Sequence, residues 1–131
     1  METRSMMELG TELDLQFDSL VENCLRSGQI NQDLYSKYDV KRGLRDLNGK
    51  GVLAGLTQVS NVMAVKVVDG KEVPCEGSLH YRGYNIKDLV NGFLKDEHFG
   101  FEEIAYLLLF GELPTKTELQ RFSAMLAERR S

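Results

Sequence analysis

From Thr11 to Arg26 the apolar residues are Leu13, Phe17, Leu20, Val21, Cys24 and Leu25, with polar residues between them. Spacings of three and four predict an amphipathic helix, and Gly28 predicts its stop. Residues 1–10 read as a frayed end, so the folded part is expected to span 11–131. Asn31 is placed to cap a short helix running to Lys37, with Leu34 and Tyr38 on one side. The pattern then changes. Seven of the 12 glycines lie between Gly43 and Gly83, and "VSNVMAVKVV" is rich in β-branched residues. Asn48-Gly49 and Asp69-Gly70 are both signals for type I′ hairpin turns. Short, twisted antiparallel strands are expected from about Leu53 to Tyr81.

Helical periodicity returns after Asn85. Ile86, Leu89, Val90 and Phe93 share a face of a helix that Asn85 can cap. "FEEIAYLLLF" follows Gly100, with Glu102 and Glu103 suiting a positive helix start and Gly111 a C-terminal stop. Thr115-x-x-Glu118 spells a capping box. It opens a helix expected to reach about Arg130, with Leu119, Phe122, Met125 and Leu126 as its apolar face. The fold class is therefore mainly α with a small antiparallel β region at about residues 53–81. One helix stands apart. Ile104 to Phe110 is apolar all the way round, which belongs inside a larger core than these few helices can supply.

Composition narrows the classes. A length of 131 residues suggests one domain, and 42% hydrophobic residues suffice for a core. Sixteen basic against 20 acidic residues give a net charge of −4, unlike the basic footprint of a nucleic-acid binder. Six acids among the first 22 residues argue against a signal or transit peptide. The longest apolar run, Ile104 to Phe110, is far too short to span a bilayer. Cys24 and Cys75 form no Cys-x-x-Cys pair and read as small apolar side chains in a reducing, cytoplasmic setting.

The candidate chemistry is sparse. "GKGVLA", Gly49 to Ala54, fits the dinucleotide fingerprint with Asp69 downstream, but "LRDLN" before it is no buried strand and "GLTQVSNV" after it cannot open a regular helix. His80 and His98 lack metal-ligand partners at three to five residues, and both read as structural. "DEHFGFEE" offers paired carboxylates that an exposed loop and a helix start explain. No catalytic constellation and no metal site is expected. "GSLHYRGYNIKDL" reads as a structural corner. In it Leu79 and Tyr81 share a strand face, Gly83 permits the bend where a side chain would clash, Arg82 satisfies loose carbonyls, and Tyr84 packs before the helix.

"GSLHYRGYNIKDLV" followed by "FGFEEIAYLLLFGELPTKTELQRF" closely resembles the N-terminal part of citrate synthases. "KYDVKRGLRDLNGKGVLAGLT" resembles the opening segment of the branch found in Gram-positive-type bacteria. The resemblance covers about Leu34 to Arg130. It implies that residues 11–131 are the N-terminal part of the large domain of a mostly α-helical, homodimeric enzyme of the tricarboxylic acid cycle. The catalytic histidines and aspartate would then lie beyond this chain, and a chain truncated in this way accounts for the all-apolar helix. The implied reaction condenses acetyl-CoA with oxaloacetate to citrate and CoA. The CoA thioester is a substrate, and no cofactor is needed. A 2-methylcitrate synthase using propionyl-CoA shares the pattern. Arg45, in "RGLRDLNGKG", stands where the family places an arginine that reaches a CoA phosphate, with Arg42 as the alternative. A non-catalytic interaction or dimerisation module derived from the family is the competing reading, and dinucleotide binding at Gly49 to Ala54 a third.

Overall fold

The computed structural model describes residues 6–130, with side chains of the first helix described at Leu15 and from Phe17 onward. Five helices and one sheet follow in order: α1 (Met6–Ser27), α2 (Asp33–Lys37), β1 (Ser60–Val68), β2 (Lys71–Tyr81), β3 (Tyr84–Asn85), α3 (Ile86–Lys95), α4 (Phe101–Phe110) and α5 (Lys116–Glu128). The chain divides into two compact units where its length suggests one. Residues 29–85 form the hairpin unit, and the segments before and after them form the helical unit. The division follows from the change of period: a period-two segment cannot share a helical stripe, so each region satisfies its backbone locally.

In the helical unit α4 packs on α1 and on α5. The buried apolar side chains are Leu89, Tyr106, Leu107 and Phe122, and Leu107 is fully buried. Tyr106, Phe110 and Phe122 meet edge to face, with centroids 4.5, 5.4 and 5.9 Å apart, a geometry that suits the ring quadrupoles. The all-apolar helix is thus covered on one side only: Phe101 and Leu109 stay exposed. α1 begins at Met6, before the expected start at Thr11. Met6, Met7, Glu8 and Leu9 are good helix formers, and Gly10 is the only breaker among them.

The ends of the helices follow capping chemistry. Asn31 Oδ1 accepts the Asp33 N–H at 2.9 Å, but the N-cap of α2 is Gln32 and not the expected Asn31, and the Gln32 side chain makes no capping bond. The Thr115–Glu118 capping box is complete, and α5 ends two residues before Arg130. Gly111 stops α4 at φ 88°, its N–H on the Leu107 carbonyl. Two stops carry no glycine. Glu97 (φ 55°) and Asp39 (φ 51°) occupy the left-handed position after α3 and α2. Each closes a Schellman motif: His98 N–H to Phe93 C=O and Glu97 N–H to Leu94 C=O, then Val40 N–H to Tyr35 C=O and Asp39 N–H to Ser36 C=O.

The sheet is an antiparallel meander in the order β1-β2-β3. Its strands are longer and start later than expected: residues 53–59 join no ladder, and β1 and β2 run nine and 11 residues. Asp69 and Gly70, at φ 51° and 75°, make the type I′ turn between them. The register shifts between Met63, opposite Ser78, and Val65, opposite Pro74. Pro74 has no N–H for the ladder and Gly77 bends easily, which locates the irregularity. Asn48-Gly49 is a different turn from the expected type I′. Only Gly49 has positive φ, and its N–H reaches the Asp46 carbonyl at 2.9 Å. Asn48 Oδ1 instead accepts the Lys50 N–H at 2.9 Å, a local bond that holds Asn48 out of the left-handed region.

Candidate functional site

Two places in the hairpin unit collect the candidate residues. In the first, the chain folds back across residues 41–53. Lys41 N–H donates to the Leu53 carbonyl at 2.8 Å, Asp46 N–H to the Lys50 carbonyl at 2.8 Å, and Arg45 faces Gly51 in an isolated bridge. This exposed loop carries Lys41, Arg42, Arg45 and Lys50. Arg45 Nη1 donates to the Gly49 carbonyl at 2.8 Å, which braces the turn and leaves further guanidinium N–H groups as donors. Lys41 pairs with Asp39 at 2.7 Å, and that hydrogen bond and charge hold its ammonium pKa above the usual value. Lys50 lies 3.8 Å from Glu72. The dinucleotide geometry is not formed here: no strand leads into Gly49–Ala54, and residues 52–59 carry no helix.

The second place is the corner from Tyr81 to Tyr84. Tyr81 pairs with Tyr84, and Arg82 and Gly83 have φ 48° and 92°, a two-residue hairpin turn. A β-carbon on Gly83 would meet nothing within 4 Å, so the glycine serves the positive φ and not the close approach expected of it. The Arg82 N–H donates to the Val59 carbonyl at 2.9 Å, tying the corner to the chain entering β1. Gln58, Asn61, His80 and Arg82 line a cleft beside it. Asn61 is opposite His80 and Met63 opposite Ser78, so these four share a sheet face. His80 Nδ1 and Ser78 Oγ on that face are buried without hydrogen-bond partners. Thr57 and Ser60 bring hydroxyls to the cleft, and no carboxylate or thiol lines it. Alternation along β2 could have revealed the shared face; the cleft itself had no sequence signal.

In the helical unit His98 joins the α3–α4 connection to the first turn of α4. Its Nε2 lies 2.9 Å from Glu103 Oε2, and its ring stands edge-on to Phe93. One carboxylate of "DEHFGFEE" is thereby engaged in a structural contact. Cys24 and Cys75 are free and half-buried. Among the described residues no group of three ligating side chains could hold a metal, and no helix is long and apolar enough to cross a membrane.

Arg45 and His80 stand in separate local settings without a carboxylate partner, and His98 has its carboxylate, Glu103, in a contact that ties the α3–α4 connection to α4. The family model for citrate synthase, described as its C-terminal domain, matches residues 44–131. The chain belongs to the citrate synthase family. Over 88 residues it is 40% identical to 2-methylcitrate synthase 1 of Corynebacterium glutamicum, covering 67% of this chain and 18% of that protein. Over 79 residues it is 42% identical to the citrate synthase of Saccharolobus solfataricus, covering 60% and 18%. A 2-methylcitrate synthase of Mycobacterium tuberculosis is 39% identical over 85 residues, covering 65% and 16%. The chain spans less than a fifth of the length of each of these relatives. No solved structure matches it significantly.

Proposed function

We propose that this chain is the N-terminal segment of an enzyme that condenses an acyl-CoA with oxaloacetate: acetyl-CoA to give citrate, or propionyl-CoA to give 2-methylcitrate. The observation that carries this reading is the family match over residues 44–131, with named relatives on both sides of the substrate choice. The reaction needs a base beside the thioester α-carbon and a donor on the thioester oxygen. The described residues assemble neither, so the 131-residue chain by itself is expected to release no CoA. The five helices and small antiparallel sheet fit a piece of a mostly α-helical large domain.

Arg45 is the residue we assign to a CoA phosphate. A planar guanidinium suits phosphate, the loop is exposed, and Arg42 and Lys50 add positive charge to it. Exposed Phe99, Phe101 and Leu109 support a homodimer. The acidic chain, with its two free cysteines, suits the cytoplasm.

The test is a chimera. Residues 44–131 replace the matching segment of the Corynebacterium glutamicum 2-methylcitrate synthase 1, and oxaloacetate-dependent thiol release is measured with both acyl-CoA substrates. A folded chimera that turns over supports the reading, and one of unchanged oligomeric state that releases no CoA overturns it. Within an active chimera, Arg45→Ala is expected to raise the KM for acyl-CoA. If only Arg42→Ala raises it, the assignment is off by three positions.

A further inference from the structure

Two Asn-Gly pairs occur in the chain, Asn48-Gly49 in the loop of the hairpin unit and Asn91-Gly92 in α3. A glycine after asparagine has no side chain to shield its backbone nitrogen, so that nitrogen can attack the neighbouring side-chain amide. Both pairs are exposed to solvent, and they differ in their backbone. In α3 the helical ladder commits the Gly92 N–H to the residue four back, and the Gly92 carbonyl accepts the Asp96 N–H at 3.1 Å. Ring closure there requires part of the helix to open. At Asn48 one bond holds the attacking nitrogen, from the Gly49 N–H to the Asp46 carbonyl at 2.9 Å. Asn48 Oδ1 accepts the Lys50 N–H at 2.9 Å, which fixes the side-chain amide against the backbone that follows and polarises its carbonyl. A β-carbon on Gly49 would meet nothing within 4 Å, so the turn has room to rearrange. The Arg45 guanidinium, 2.8 Å from the Gly49 carbonyl, favours a negative charge on the nearby nitrogen. The Asp46 carboxylate opposes it, although one of its oxygens is engaged by the Leu47 N–H at 2.8 Å.

We propose that Asn48 is a site of spontaneous deamidation and that Asn91 is not. The Gly49 nitrogen gives its proton to solvent and bonds to Asn48 Cγ, and the Cγ–Nδ2 bond breaks with release of ammonia. Water then opens the five-membered imide at either carbonyl, leaving aspartate or isoaspartate at position 48. One water is consumed and one ammonia released, and nothing is oxidised or reduced. The product adds a negative charge to the turn that Arg45 braces. Isoaspartate also lengthens the main chain by one carbon between the bridged residues Arg45 and Gly51. Either product weakens the grip of this loop on a phosphate, a consequence that rests on the assignment of Arg45 to CoA.

The chain is incubated at mildly alkaline pH, folded and in urea, and its proteolytic peptides are followed by mass spectrometry. In urea the two pairs are expected to deamidate at similar rates, because only the local sequence remains. In the folded chain Asn48 is expected to stay within about tenfold of its unfolded rate, the slowing that one net hydrogen bond imposes. Asn91 is expected to slow by far more, because α3 must open. The product peptide at position 48 should separate into aspartate and isoaspartate forms. The proposal is overturned if Asn48 keeps its amide as long as Asn91 in the folded chain, or if aspartate alone forms, which marks direct hydrolysis without a ring. The consequence is read separately in the active chimera. There Asn48→Asp is expected to raise the KM for acyl-CoA about threefold, the size of an exposed charge interaction. If Arg45→Ala raises that KM and Asn48→Asp does not, the consequence is wrong. If neither raises it, the CoA assignment fails and the deamidation result stands on its own.

Discussion

All four buried apolar side chains named above belong to the helical unit, whereas in the hairpin unit Val62, Val65 and Val67 stand exposed along β1. The two units are stabilised differently. The helical unit packs α4 on α1 and α5 and buries Leu107 completely, so removing apolar area there leaves a cavity. The hairpin unit relies on its ladder, its tight turns and a few side-chain bonds. A small sheet that buries no apolar side chain fully among the described residues is marginal in water, and its edge strand β1 is a natural surface for further pairing. Local chemistry is enough to shape a hairpin; burial is what makes a unit resist unfolding.

The sharpest way to break this comparison is at Leu107. Leu107→Ala is expected to cost about 2–5 kcal/mol, the range for a large-to-small change in a core. Amide exchange should speed up throughout α4 and α5 while residues 60–81 change little. Equal loss of protection in both units would show that they unfold together and end the contrast.

Gly100→Ala comes next. A β-carbon there would overlap the Phe93 ring, so the ring or the α3–α4 connection must shift. The expected cost is about 1–3 kcal/mol, as for other overpacked sites. Urea denaturation followed by helical circular dichroism measures it. A change within 0.5 kcal/mol, roughly the scatter of a surface substitution, would mean that Phe93 moves freely.

In the hairpin unit, Gly83→Ala places a side chain at φ 92° with open space around it. Backbone strain alone is then at work, at roughly 1–2 kcal/mol. Loss of the cross-strand contacts between Tyr81 and Tyr84 by NMR is the expected signature. If Gly83→Ala leaves them unchanged, the corner tolerates strain and the packing of its tyrosines holds it.

Thr115→Ala removes the acceptor of the α5 cap and is expected to cost about 1 kcal/mol. It also changes the pH dependence. The Glu118 carboxyl is held below its usual value, first by the Thr115 hydroxyl and then by the Thr115 N–H. A depressed folded value stabilises above the unfolded value and is lost as pH falls through the folded one. Wild type should therefore lose stability relative to the variant below about pH 4.5. The effect is small because Glu118 is exposed to solvent. Parallel acid curves for the two proteins would remove Glu118 as the cause.

The smallest expected effect is a gain. Glu97→Gly relieves the left-handed backbone after α3 and should stabilise the helical unit by about 0.5–1 kcal/mol. The rise in thermal midpoint checks it.

Much of this molecule was legible in its residues. The capping box at Thr115, the stop at Gly111, the Asp69-Gly70 turn and the faces of α3 and α5 all depend on groups within four positions of one another, and such groups are adjacent in the sequence. The Tyr-Arg-Gly-Tyr corner was legible too, although its glycine is needed for its φ and not for space. The stops at Asp39 and Glu97 were not legible, because an acidic residue in the left-handed region leaves no mark in composition. Nor was the split into two units, the one-sided burial of α4 or the contact of Gly100 with Phe93. A cavity beside Tyr106 joins residues about 100 positions apart, Ser19 to Met125, on three helices. Local hydrogen bonds and helical periods set the elements and the family; which faces met depended on side chains far apart in the chain, and only the tertiary structure brought them together.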